Sequence, residues 1–193
     1  MGRPLEFVPE RALEAAMRLF WSKGYQATSL QNLLEAMQLS KSSLYQSFGS
    51  KPQLFDQCIE HYCETQAECM LEQLQNSPSA RQFIEDTFND IAINARTRAV
   101  KKGCLLMNAA SEFGQTDARI AAQIDRGMSR FFKVFLTGVK RAQKEGAITA
   151  DRNPIVLANY LVTSMSGLKT MVKAGMEPEK LTEIVRVILT ALD

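Results

Sequence analysis

Within its first fifty residues the chain is punctuated so closely that only short helices fit between the breaks. Pro9 is acceptable in a first helical turn. Ala12, Ala16, Leu19 and Phe20 follow at spacings of four, three and one, an apolar stripe along one helix face. Gly24 stops that helix, with Lys23 in the last turn where a cation suits the helix dipole. Thr28 and Ser29 offer caps for a second helix holding Leu30, Leu33, Leu34 and Met37. Ser40 caps a third, Lys41 to Phe48, and Gly49 breaks it. Three short helices joined by tight turns within about forty residues meet the requirement of a helix-turn-helix.

Beyond Gly49, Ser50 opens a longer helix running towards Gln75, and Asn76-Ser77-Pro78 is a clear break. The next helix is expected from about Ser79 to Arg98. Gly103 and Gly114 bracket a short one, Cys104 to Phe113. A long helix from Asp117 to Lys144 carries Ile120, Ile124, Phe131, Phe135 and Val139 on one face, and Gly146 closes it. Asp151 or Asn153 caps a helix starting at Pro154, which Gly175 ends, and Pro178 starts the last. No strand pattern and no repeat is found. The expected fold is all-α, about nine helices, with a homeodomain-like helix-turn-helix domain over 1–52 and a larger helical domain over 53–193.

The bulk numbers narrow the function classes. Hydrophobic residues make up 46% and charged residues 23% of 193, ordinary for a globular chain that needs neither disulfides nor a structural metal. No apolar run of membrane-spanning length and no signal peptide is read. Three of the four cysteines (Cys58, Cys63, Cys69, Cys104) crowd one expected helix, which suits a reducing compartment, so the cytoplasm is the expected location. Cys58 and Cys69 are three turns apart, roughly 16 Å along the axis, so one helix cannot close a tetrahedral metal site even with His61. With one histidine, no Gly-rich phosphate loop, no metal-protease pair and no nucleophile elbow, an enzyme has little to work with, and no cofactor is implied. Net charge is +2, and residues 1–51 hold six basic against four acidic side chains. Charge therefore permits DNA binding without arguing for it.

The third helix argues for it. Lys41, Ser42, Ser43 and Gln46 form a polar face, small at its start, that can approach base edges closely, while Leu44 and Phe48 turn back into the core. Tyr45 lies beside them and can reach a phosphate. Lys51, in the first turn of the next helix, is placed to grip phosphate together with backbone amides, as are Thr28 and Ser29. The tail Gly2-Arg3-Pro4 could put Arg3 into a minor groove.

The runs Gly24-Tyr25-Gln26-Ala27-Thr28-Ser29-Leu30 and Leu39-Ser40-Lys41-Ser42-Ser43-Leu44-Tyr45-Gln46-Ser47-Phe48-Gly49-Ser50-Lys51 resemble the DNA-binding domain of TetR-type transcription regulators. The resemblance is strong over residues 9–55, and elsewhere extends to length and helical pattern. It implies that Thr28, Ser29, Lys41, Ser42, Ser43, Tyr45, Gln46 and Lys51 contact double-stranded operator DNA. Two departures stand out: Gln38 replaces a usual Gly, with a modest left-handed cost, and Ser42 replaces another.

In such a family the larger domain binds an effector and dimerises. A helix-turn-helix monomer covers too few bases, whereas two copies about 34 Å apart read a palindrome. Leu161, Met165 and Leu168, with Leu181, Ile184 and Ile188, are expected to form a four-helix homodimer interface; intramolecular core is the alternative. Met107, Phe131, Phe135 and Met165 could line a greasy effector pocket, or be plain core. Lys101-Lys102-Gly103-Cys104 places a thiol at a helix start after two ammonium groups, both favouring thiolate. Gly103-Cys104-Leu105, Ser111-Glu112 and Asp125-Arg126-Gly127 resemble the subgroup of the N-ethylmaleimide-responsive repressor, which implies Cys104 as an electrophile or oxidant sensor; a small buried core residue is the alternative. The reading is a repressor released from its operator by a small molecule or electrophile. A helical interaction module with a purely structural helix-turn-helix is the competing class.

Overall fold

The computed structural model describes residues 8–97, 100–113 and 116–193. These form nine α-helices: α1 Pro9–Lys23, α2 Leu30–Met37, α3 Lys41–Phe48, α4 Lys51–Asn76, α5 Ala80–Ile93, α6 Leu105–Phe113, α7 Ala118–Lys144, α8 Pro154–Lys173 and α9 Pro178–Leu189. Short 3-10 turns at Val100–Lys102 and Thr190–Leu192 complete the helical segments of the described residues. Arg3, Arg98 and Gly114 lie outside them.

Capping chemistry sets the boundaries of the first helices. The Ser29 hydroxyl accepts the Asn32 N–H at 3.1 Å while the Asn32 side chain accepts the Ser29 N–H at 3.3 Å, a reciprocal cap on α2. Ser40 caps α3 in one direction, its hydroxyl accepting the Ser43 N–H at 3.1 Å. Between α2 and α3 the chain turns at Gln38, held at φ 54° and ψ 43°. Ala16, Phe20, Leu33, Leu44, Leu54 and Phe55 are buried together beneath these helices.

α4 belongs to both halves of the molecule. Near its start, Phe55 meets Phe20 of α1 edge-on at 4.9 Å, and the Cys58 thiol points at the Leu13 carbonyl. Further along it lies against α7, where Arg130 pairs with Glu60 and Glu64, and Arg119 with Asp56. At Gly127 the two helices approach so closely that an added Cβ would sit 2.6 Å from the Cys63 sulfur. Residue 52, the expected domain boundary, falls in the first turn of this shared helix.

Two expectations change. α5 ends at Ile93 rather than near Arg98: Asn94 leaves helical geometry and residues 94–97 form a turn. Asn competes for backbone hydrogen bonds where little apolar surface remains to bury. α8 is, by length and composition, apolar enough to cross a membrane, with a mean hydropathy of 1.2 and 44% of its span buried. Its inner face packs on α7 and α9, and its outer face is uncovered and uncharged over most of its length, with Val156, Tyr160 and Met171 among Asn159, Thr163 and Thr170.

Candidate nucleic-acid interface and the region behind it

α3 stands on Leu44 and Phe48, both buried, and turns the remainder of its surface outward. Lys41, Ser42, Tyr45 and Gln46 are exposed and Ser43 half-exposed, so the polar face foreseen for the groove is the face that is free. Ser42 and Ser43 each lie 2.9 Å from the Ser40 hydroxyl, which orders the first turn where a close approach to bases would occur. Ser29 is exposed at the start of α2. Thr28 is different. It is fully buried, and its hydroxyl donates to the Gly24 carbonyl at 2.6 Å, so its side chain closes a turn and offers nothing to a phosphate. Lys51 is half-buried with its ammonium 4.2 Å from the centre of the Tyr25 ring. Burial lowers its pKa, and the neighbouring Glu112 opposes that shift.

Behind this unit, Cys104 sits immediately before α6, 4% exposed, with its sulfur 3.7 Å from the Tyr62 hydroxyl. The Tyr62 ring meets Trp21 of α1 edge-on at 5.0 Å, and the Trp21 indole N–H donates to the Gly103 carbonyl at 3.2 Å. The Lys102 ammonium lies over the same indole. Burial, reinforced by Cys104, raises the Tyr62 pKa well above the usual phenol. Burial likewise pushes the Cys63 thiol up to about 12. Cys58 faces α1, Cys63 faces α7 and Cys69 is exposed; among the described residues no three metal-ligating side chains come together.

Residues 12–58 match the description "Bacterial regulatory proteins, tetR family", and residues 80–188 match "Tetracyclin repressor-like, C-terminal domain". The chain belongs to the TetR family. It is thus a DNA-binding transcription regulator with a helix-turn-helix, of a kind typically without enzymatic activity. An uncharacterized helix-turn-helix regulator of Bacillus subtilis, YezE, is 30% identical over the whole of both chains. The Escherichia coli repressor ComR is 28% identical over 95% of this chain and 88% of its own length. Among solved structures, a cysteine mutant of the TetR-family regulator CifR, complexed with 26-bp double-strand operator DNA, superposes with a TM-score of 0.85 at 28% identity, covering 100% of both chains.

As a TetR-family chain, the protein would be expected to pair through its last two helices, but the residues singled out for that role sit inside one copy. Leu161, Met165, Leu168, Leu181 and Ile188 are buried in their own chain, and of the six only Ile184 reaches the surface. The open face is offset by about a third of a turn. It comprises Val156, Tyr160, Thr163, Gly167 and Met171 of α8 with Ile184 and Val187 of α9. Periodicity revealed the stripes but not which stripe the chain keeps for itself. Phe131, Phe135 and Met165 are likewise packed core, with Met107 half-buried at its edge. None of the four lines the cleft of about 470 Å³ between the end of α4 and α5, whose walls include Gln73, Asp86 and Asp90. Trp21 and Tyr62 carry no signal in the sequence, and Glu112 enters there only as part of a resemblance, because their partners lie more than forty positions away.

Proposed function

We propose that the protein is a homodimeric repressor that binds a palindromic operator through α3 and leaves it when a small molecule or electrophile alters the region around Cys104. The observation that carries the DNA reading is the exposed polar face Lys41, Ser42, Tyr45 and Gln46 on a helix anchored by buried Leu44 and Phe48. Ser29, Ser43 and Lys51 flank it, and the Thr28 side chain is not among the contacts. ComR, named a repressor, and CifR, described in complex with operator DNA, support the same reading.

The dimer is assigned to the open face of α8 and α9. A Cβ built on Gly167 meets nothing within 4 Å in its own chain. A glycine in a helix interior costs about 1 kcal/mol relative to alanine, so its use there fits close approach by another helix. A second copy, with the same uncharged face, supplies such a helix. Membership of the N-ethylmaleimide-responsive subgroup is part of this proposal, and Cys104 is its sensor. The thiol is covered by Tyr62, so alkylation requires a local opening and leaves an adduct with no room to stay. The effector class is therefore a small electrophile that adds to sulfur.

Fluorescence anisotropy on the DNA directly upstream of the protein's own coding sequence tests this, in a Cys69→Ser background that removes the exposed thiol. Tight, salt-sensitive binding that collapses after N-ethylmaleimide, and survives treatment in Cys104→Ser, is expected. Binding indifferent to treatment would end the thiol reading and leave the repressor.

A further inference from the structure

The turn between α1 and α2 is held by a side chain from the far half of the molecule. Glu112, in the last turn of α6, accepts the Tyr25 N–H at 2.8 Å with Oε2 and the Gln26 N–H at 2.5 Å with Oε1. Those two amides lie just ahead of the Ser29 cap, so holding them fixes the turn from which α2 departs.

Several independent features fit the turn to this carboxylate. Gly24 stands at φ 84°, and a Cβ there would come within 3.1 Å of Glu112 Oε2, so the glycine supplies both the backbone turn and the space. The next residue, Phe113, places its ring 5.2 Å from Tyr25 and 5.8 Å from Phe55. Two consecutive α6 side chains thereby take the backbone and the ring of the same residue. Electrostatics within α6 oppose the placement: a carboxylate in a last turn faces the negative end of the helix dipole, and no basic residue of that turn relieves it. The two charge-assisted hydrogen bonds outside α6 offset that cost. At its other end, α6 is preceded by Gly103 and Cys104, and the Gly103 carbonyl holds Trp21 of α1. One nine-residue helix thus bridges the thiol and the turn that leads into the helix-turn-helix.

We propose that Glu112 is the positioning residue that ties the helix-turn-helix to α6, and that its release carries a change at Cys104 to the recognition helix. The regulatory half of this proposal rests on the function argued above; the positioning half does not. The test uses the full chain in the Cys69→Ser background, with Glu112→Gln and Glu112→Ala. Hydrogen exchange is read at the amides of Tyr25 and Gln26, and anisotropy is read on the same upstream duplex before and after N-ethylmaleimide. The alanine variant is expected to exchange those amides about tenfold faster and to bind about tenfold more weakly, the effect of one charge-assisted hydrogen bond at the weak end of its range. Its affinity should no longer fall on treatment. Glutamine keeps one acceptor oxygen and should lie between alanine and wild type.

A role in stability alone would weaken binding equally before and after treatment, leaving the wild-type ratio, and would overturn the regulatory half. Unchanged exchange at both amides, or faster exchange with unchanged affinity, would overturn the positioning half. If the parent protein itself ignores treatment, the thiol reading and the regulatory half fall together, while exchange and affinity still decide the positioning half. If the parent does not bind the duplex, the DNA reading falls, and exchange alone decides whether Glu112 holds the turn.

Discussion

Gln38 closes α2 with φ 54°, the one described non-glycine residue in the left-handed region. Its N–H still finds a carbonyl, that of Glu35 at 3.3 Å, so the turn is satisfied and the remaining cost is steric. Replacing Gln38 with glycine removes the Cβ conflict but frees the unfolded chain, and the first effect dominates at a left-handed helix end. Gln38→Gly should therefore stabilise the protein by about 0.5–1 kcal/mol, with operator affinity retained. Urea denaturation decides it, and an unchanged or lower midpoint would show that the strain is negligible. Thr28 teaches a different lesson at this scale. A threonine near a helix start reads equally well as a phosphate contact or a turn hydroxyl, and only its burial against Gly24 separates them.

At the scale of elements, the contact between α4 and α7 is the joint on which the two halves are mounted. Gly127 lets the helices meet with the Cys63 sulfur and the Leu106 methyls in the space a side chain would need, the nearest at 2.6 and 2.8 Å. Gly127→Ala gains helix propensity of about 1 kcal/mol and loses more to overpacking, roughly 1–3 kcal/mol in a well-packed core. The net expectation is a less stable protein. Adding Cys63→Ala should recover part of the loss, because it removes one of the two obstructions. A double-mutant cycle in urea measures the coupling, and strict additivity of the two changes would refute the contact. The Glu60–Arg130 pair lies along the same joint. The hydrogen bond from Arg130 is the main cause holding the Glu60 carboxyl below its usual range, with burial working against it. Its contribution is present above the unfolded pKa and is lost as pH falls through the folded one, so Glu60→Gln should flatten the acid limb of the stability profile. The pair is part-exposed, and its share is small.

For the whole molecule, the question is how two recognition helices come to face one duplex. The uncovered face of α8 and α9 includes Val156 and Val187, both more than 60% exposed, with Gly167 near its middle. Surface of this kind on a folded chain marks an interaction site. Gly167→Leu separates the possibilities, because within one copy the new side chain enters open space. The variant should keep its helicity, run as a monomer in sedimentation velocity, and bind the upstream duplex at least a hundredfold more weakly, as a half-site reader would. A variant that remains dimeric would move the interface elsewhere.

Helix count, the Ser40 cap and the polar face of α3 were legible in the amino-acid order, as were the caps of α2 and α8 to within two candidates each, from which the structure takes Ser29 and Asn153. These are local properties, decided by periodicity and by side chains that bond within three or four residues of themselves. The tertiary structure decided what local order leaves degenerate. Adjacent apolar stripes on α8 and α9 look alike until one is packed, against α7 for α8 and against α5 for α9, and the other is left in water. Trp21, Tyr62, Cys104 and Glu112 acquire their partners across 42 to 87 residues of chain, a separation over which periodicity carries no signal.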